Sequence, residues 1–118
     1  MPNPVVHFEV IGADADQIQD FYRHTFGWTI NAGNPMKYGI VDTGTPGRGI
    51  AGGVAGPMGG GGARVTFYIE VPDIDQALAE VTKSGGSVLM PKSPVPGGPT
   101  IALFADPAGN CVGLTQAV

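Results

Sequence analysis

Two stretches of this chain match when one is slid 59 positions along the other: "HFEVIGADADQIQDFYRHTFGWTI" from His7 and "TFYIEVPDIDQALAEVTKSGGSVL" from Thr66. In that frame Phe8 meets Phe67, Val10 meets Ile69, Asp16-Gln17 meets Asp75-Gln76, and Gly27 meets Gly86. Twice 59 is the full length of 118 residues, so the chain reads as two copies of one unit. A repeat constrains the fold strongly, because one supersecondary plan has to serve both halves.

Each copy opens with a strand and continues into a helix. Asp14 with Gln17, and Asp73 with Gln76, have the spacing of a capping box. There the carboxylate accepts a free backbone N–H and the residue three positions on reaches back. Ile18, Phe21 and Tyr22 recur at helical spacing in the first helix, as do Ile74, Ala77, Leu78 and Val81 in the second. Gly27 and Gly86 stand near the two C-caps. Strand candidates follow: "WTINA", "YGIVDT" and "GIAGGVA", then "SVLM", "TIALFA" and "NCVGLTQ". The expected architecture is therefore α+β, a single domain of two tandem β-α-β-β-β modules. Module one covers about 4–56, a glycine-rich link 57–63, and module two about 64–117. The link "GPMGGGGARV" has few side chains to pack and reads as a flexible connector.

Several functions are disfavoured. The formal charge is −4 and the six basic residues form no stripe, so nothing favours nucleic acid. No apolar run reaches membrane-spanning length, and "MPNPVVHFEV" lacks the plan of a signal peptide. A single cysteine, Cys111, forms no internal disulfide and suits a reducing cytoplasm. Within "NCVGL" it reads as a small buried core residue. The stretch "GRGIAG" at 47–52 matches G-x-G-x-x-G, but glycines and a proline follow it where a dinucleotide site needs a helix.

The strand "VHFEV" places His7 and Glu9 on one face, because residues two apart in a strand point the same way. The same alternation on the second opening strand groups Thr66, Tyr68 and Glu70. Phe8, Val10, Phe67, Ile69 and Val71 take the opposite face, beneath the helices. Three readings of His7 and Glu9 stand. The carboxylates are solvated or paired with Arg48, Arg64 or Lys37; the pair binds a ligand; or His7, Glu9 and Glu70 hold a metal in a rearranged set. His24 reads as a surface residue, and Trp28, Tyr38 and Phe104 as core or cavity wall.

The paired modules, "FYRHTFGW", "VTFYIEVPDIDQALAEV", "GGSVLMPKSPVPGG" and "FADPAGNCVGL" together resemble the vicinal oxygen chelate superfamily. That group includes glyoxalases, bleomycin- and fosfomycin-resistance proteins and extradiol dioxygenases. The likeness extends over nearly the whole chain, and the Asp-Pro-x-Gly-Asn turn at 106–110 is its most specific part. The resemblance implies two half-barrels enclosing a cavity. In metal-dependent members the first and last strands of each module supply one ligand apiece to a divalent cation. Carried over, those positions hold His7, Thr66, Gly113 and Gly52 or a neighbour. One ligand of four remains, while stable divalent sites need about three. No cofactor is therefore expected.

The resemblance then implies a small-molecule binding protein of the resistance type, with His7, Glu9, Thr66, Tyr68 and Glu70 as binding residues, acting as a homodimer. The alternative is a glyoxalase-like lyase or isomerase using a cavity carboxylate or a rearranged metal site. A third is a domain that serves a partner protein.

Overall fold

The computed structural model describes residues 2–57 and 62–118. Most of the expected glycine-rich link falls outside the described residues. Among the described residues the fold is mixed α+β, with eight strands and two helices. In chain order these are β1 (Val5–Ile11), α1 (Ala15–Phe26), β2 (Thr29–Asn31), β3 (Gly39–Asp42) and β4 (Gly52–Ala55). Then come β5 (Arg64–Val71), α2 (Ile74–Lys83), β6 (Ser87–Pro94), β7 (Thr100–Ala105) and β8 (Cys111–Gln116). Neither helix is long and apolar enough to cross a membrane.

The chain divides into two compact units, His7–Thr66 and a second made of Met1–Val6 with Phe67–Val118. In the His7–Thr66 unit, β1 runs parallel to β4, β4 antiparallel to β3, and β3 antiparallel to β2. In the other, β5 runs parallel to β8, β8 antiparallel to β7, and β7 antiparallel to β6. The N-terminal segment belongs to this second unit, where Pro4 carbonyl accepts from Glu70 N–H at 2.9 Å.

Local chemistry sets the helix starts. Asp14 accepts from Gln17 N–H at 3.1 Å, and Asp73 from Gln76 N–H at 3.2 Å. Both cap residues have extended backbone, as an N-cap requires. Gly27 closes α1 in the left-handed region at φ 70°. In α2 the left-handed glycine is Gly85, at φ 98°, rather than Gly86. Gly86 N–H instead returns to the Val81 carbonyl at 2.9 Å.

Each unit has its own core. Ile30, Val41 and Val54 pack with Phe8, Val10, Ile18, Tyr22 and Trp28. Val71, Ile74, Leu78, Ala102 and Leu114 pack with Ile69, Ala77 and Phe104. Two assignments from periodicity change. Phe21 is 52% exposed, and Gln19, at 2%, takes the inward place beside Ile18 and Tyr22. Its Nε2 donates to the Val54 and Lys37 carbonyls at 2.8 and 3.1 Å, so a polar side chain is buried with its hydrogen bonds made. Phe67 is 43% exposed instead of lying under a helix. Cys111, at the first position of β8, is half-buried rather than buried.

The end strand β6 is irregular. It contains Pro91 and Pro94, and its register against β7 shifts between Val88 and Met90 and again between Met90 and Ser93.

Candidate functional site

Within the His7–Thr66 unit, β1 presents His7 and Glu9 to one tyrosine. Tyr38 Oη lies 2.9 Å from His7 Nε2 and donates to Glu9 Oε2 at 2.9 Å. A phenol has one proton. With that proton on Glu9, Nε2 of a neutral His7 must donate to the Tyr38 oxygen. The three side chains then form an ordered line of proton donors, imidazole to phenol to carboxylate. Glu9 is only 3% exposed. Its other oxygen, Oε1, faces Arg64 Nη2 at 3.4 Å, a long contact that supplies the opposite charge.

The turn before β3 delivers Tyr38. Asn34 Oδ1 accepts from Tyr38 N–H at 2.9 Å, and Asn34 Nδ2 donates to the Tyr38 carbonyl at 2.7 Å. Lys37 N–H closes the turn on the Asn34 carbonyl at 3.0 Å, and Lys37 itself sits at φ 52°. A side-chain amide thus replaces the missing ladder partner of Tyr38. Space for the ring comes from Gly53, which pairs with Glu9 across the parallel β1–β4 ladder. A Cβ at Gly53 would lie 1.8 Å from Tyr38 Oη.

Burial holds the His7 pKa below the ordinary histidine value of 6.5, and the nearby Glu9 charge opposes this only in part. The folded chain therefore binds this proton less readily than the unfolded chain. His7 favours folding above about pH 6.5, and that contribution is lost as pH falls from there through the lowered folded value.

The remaining expected residues are placed as follows. Thr66 is 3% exposed, and its hydroxyl has no hydrogen-bond partner among the described residues. Tyr68 and Glu70 belong to the other unit. Tyr68 is buried and pairs with Gly113, and half-buried Glu70 pairs with Thr115. A Cβ at Gly113 would lie 2.4 Å from the Tyr68 ring. So in each unit an aromatic ring covers the last-strand glycine, Tyr38 over Gly53 and Tyr68 over Gly113. The residue sharing the His7–Glu9 face is Gly53, since Gly52 lies under Phe8. A shallow groove lined by Asn3, Pro72, Asp73, Gln76 and Glu80 includes none of the five expected site residues.

These residues do not fit the divalent cation that the resemblance implies. Of the four positions, His7 is engaged by Tyr38, Thr66 offers a hydroxyl, and the two glycines lie beneath rings. Among the described residues no group of three or more His, Cys, Asp or Glu side chains could hold an ion. Tyr38 was the member of the centre least visible in the sequence. The signals for it were the Asn-Pro turn before it and the glycine on each side of its path, Gly39 and Gly53.

Comparison with known proteins supports the same fold. The family described as the Glyoxalase/Bleomycin resistance protein/Dioxygenase superfamily matches residues 5–114. A protein of Mycobacterium tuberculosis (strain CDC 1551 / Oshkosh) named "Putative glyoxylase CFP32" is 31% identical over 111 residues, which is 88% of this chain and 42% of that protein. The chain thus spans about two-fifths of the length of that relative. Among solved structures, a methylmalonyl-CoA epimerase in complex with methylmalonyl-CoA superposes with a TM-score of 0.67 at 18% identity, over 100% of this chain and 96% of that one. The hypothetical protein BH1468 from Bacillus halodurans C-125 gives a TM-score of 0.69 at 14% identity, again over 100% and 96%. With the family matched across nearly its whole length, the chain belongs to the glyoxalase/bleomycin resistance protein/dioxygenase superfamily.

Proposed function

We propose that this chain binds a small polar organic ligand at the His7–Tyr38–Glu9 centre, without the metal site of its family. The supporting observation is the buried Glu9 carboxylate, held by Tyr38 and Arg64 on a strand face that also carries His7. A few convergent polar groups held by neighbouring side chains are what a small-molecule site uses to orient its ligand. Thr66 in the same unit, and separately Tyr68 and Glu70 in the other unit, are further proposed binding residues. Two tandem β-α-β-β-β modules, each a half-barrel with the boundaries given above, form the scaffold of this reading, supported by the repeated element order. The proposed setting is the reducing cytoplasm, which suits a lone cysteine and which cell fractionation would test.

The test uses ligand recovered from the purified protein and identified by mass spectrometry. Glu9→Gln keeps the shape and removes the charge; His7→Ala removes the first donor. Each is expected to weaken binding roughly tenfold to a hundredfold, the worth of one charge-assisted hydrogen bond. Affinity should also fall as pH drops below about 6.5 toward the lowered His7 value, because a second proton on the imidazole alters the donor order. Unchanged affinity in both variants by calorimetry makes the pair structural.

One observation favours a second reading, a lyase or isomerase of the glyoxalase type. The imidazole–phenol–carboxylate line could pass a proton to and from carbon, with Glu9 as base. A methylmalonyl-CoA epimerase is among the solved structures of similar fold. Exchange of a ligand C–H proton for solvent deuterium, lost in Glu9→Gln, separates catalysis from binding alone.

The chain is further proposed to act as a homodimer. Light scattering that returns the monomer mass of 12.0 kDa at high concentration would contradict this.

A further inference from the structure

Arg64 and Thr66 are two residues apart on β5 and share a face. Both carry a buried donor that nothing satisfies: Arg64 Nε and Thr66 Oγ1 have no hydrogen-bond partner among the described residues. Native proteins pair nearly all such groups, and each exception calls for an explanation. Packing alone gives none here. A valine has the shape of threonine, and it would fill the position of Thr66 without an idle hydroxyl. The Arg64 charge is needed for Glu9, but that contact uses Nη2 only.

We propose that Thr66 Oγ1 and Arg64 Nε are a donor pair for a carbonyl oxygen of the ligand, an uncharged aldehyde, ketone or amide. This rests on the binding role proposed for the His7–Tyr38–Glu9 centre. A carbonyl oxygen has two lone pairs and no proton, which complements two donors. Charge selects the uncharged form. Arg64 is already set against Glu9 in the same unit, so a carboxylate ligand would meet the Glu9 charge and compete with it for the same guanidinium.

The experiment follows the Arg64 Nε–H resonance of the ¹⁵N-labelled full chain. Dihydroxyacetone, glycerol and glycolate are titrated in turn. The first carries a ketone, the second replaces it with a hydroxyl, and the third brings a carboxylate. Dihydroxyacetone is expected to move the Arg64 Nε–H signal saturably, with glycerol and glycolate at least about tenfold weaker. Thr66→Val is expected to weaken dihydroxyacetone about tenfold while raising the melting temperature, because it removes an unpaired buried hydroxyl without changing shape. An unmoved Arg64 signal, or equal response to glycerol, overturns the proposal. So does a Thr66→Val variant that melts lower, since the hydroxyl would then serve the fold. If dihydroxyacetone shifts the backbone amides of His7, Glu9 and Tyr38 but not Arg64 Nε–H, the donor pair is refuted and the binding centre stands. Failure of the binding centre itself is read separately, from the Glu9→Gln and His7→Ala calorimetry.

Discussion

Gly39→Ala is expected to cost about 3–4 kcal/mol of folding stability, combining overpacking with lost buried hydrogen bonds. Gly39 opens β3 and pairs with Val54 of β4. A Cβ there would lie 2.4 Å from the Val54 carbonyl oxygen, 2.6 Å from Ile30 Cγ2 and 2.8 Å from Gln19 Nε2. None of these can yield cheaply. The carbonyl is backbone on a buried strand, Ile30 is 7% exposed in the core, and Gln19 is held by two carbonyls. Moving Gln19 aside would leave the Val54 and Lys37 carbonyls short of a donor and loosen the turn that carries Tyr38. Urea unfolding measures the loss, with Gly62→Ala as control because a Cβ at Gly62 meets nothing within 4 Å. At about 4 °C per kcal/mol the melting temperature should fall by roughly 12–16 °C. A Gly39→Ala variant within 1 kcal/mol of the parent, on the scale usual for tolerated core swaps, would show that the strand gives way there.

Gly53→Ala is expected to cost less, about 2 kcal/mol, but to damage the site more. The group it strikes is the far end of Tyr38, which can swing outward. Relief of the overlap then comes at the expense of the phenol's contacts to His7 and to Glu9. Affinity for the recovered ligand should fall about as far as in Glu9→Gln, by tenfold or more. Tyr38→Phe isolates the loss of the hydroxyl without the overlap. A double variant with Tyr38→Ala should lose little beyond Tyr38→Ala alone, because the two changes act through one contact. Simple additivity in that cycle would sink the account of Gly53 as the space for Tyr38.

The parts of the fold that were legible from the sequence are those set by neighbours in the chain. Asp14 and Asp73 cap helices through bonds to residues three positions on, so spacing alone reveals them. Phe8, Val10, Ile69 and Val71 pack in the two cores as strand alternation places them, while Phe67 on the same alternation stays exposed. Gln19 was not legible. Helical periodicity ranks residues by hydrophobicity and so favoured Phe21, whereas the inward place needed two donors for carbonyls 18 and 35 residues away. The candidate centre divides in the same way. His7 and Glu9 follow from the two-residue period, but Tyr38 lies 31 and 29 residues from them. Among three cations open to the glutamates, only the fold selects Arg64. An unpaired hydroxyl such as that of Thr66 is a property of its surroundings, and no sequence pattern encodes it.

The irregular end strand has a consequence for the behaviour of the chain in a crowded solution. Sheet edges are templates on which other chains can add strands and begin to aggregate. β6 places two half-exposed apolar residues, Val88 and Leu89, on such an edge. After Met90, Pro91 and Pro94 withhold two N–H donors, Lys92 adds a charge, and two register shifts break the flat repeat that an incoming strand would need. The stickiest part of the edge is therefore confined to a run of three residues, Val88 to Met90, shorter than the roughly six or seven that typically form a steric zipper.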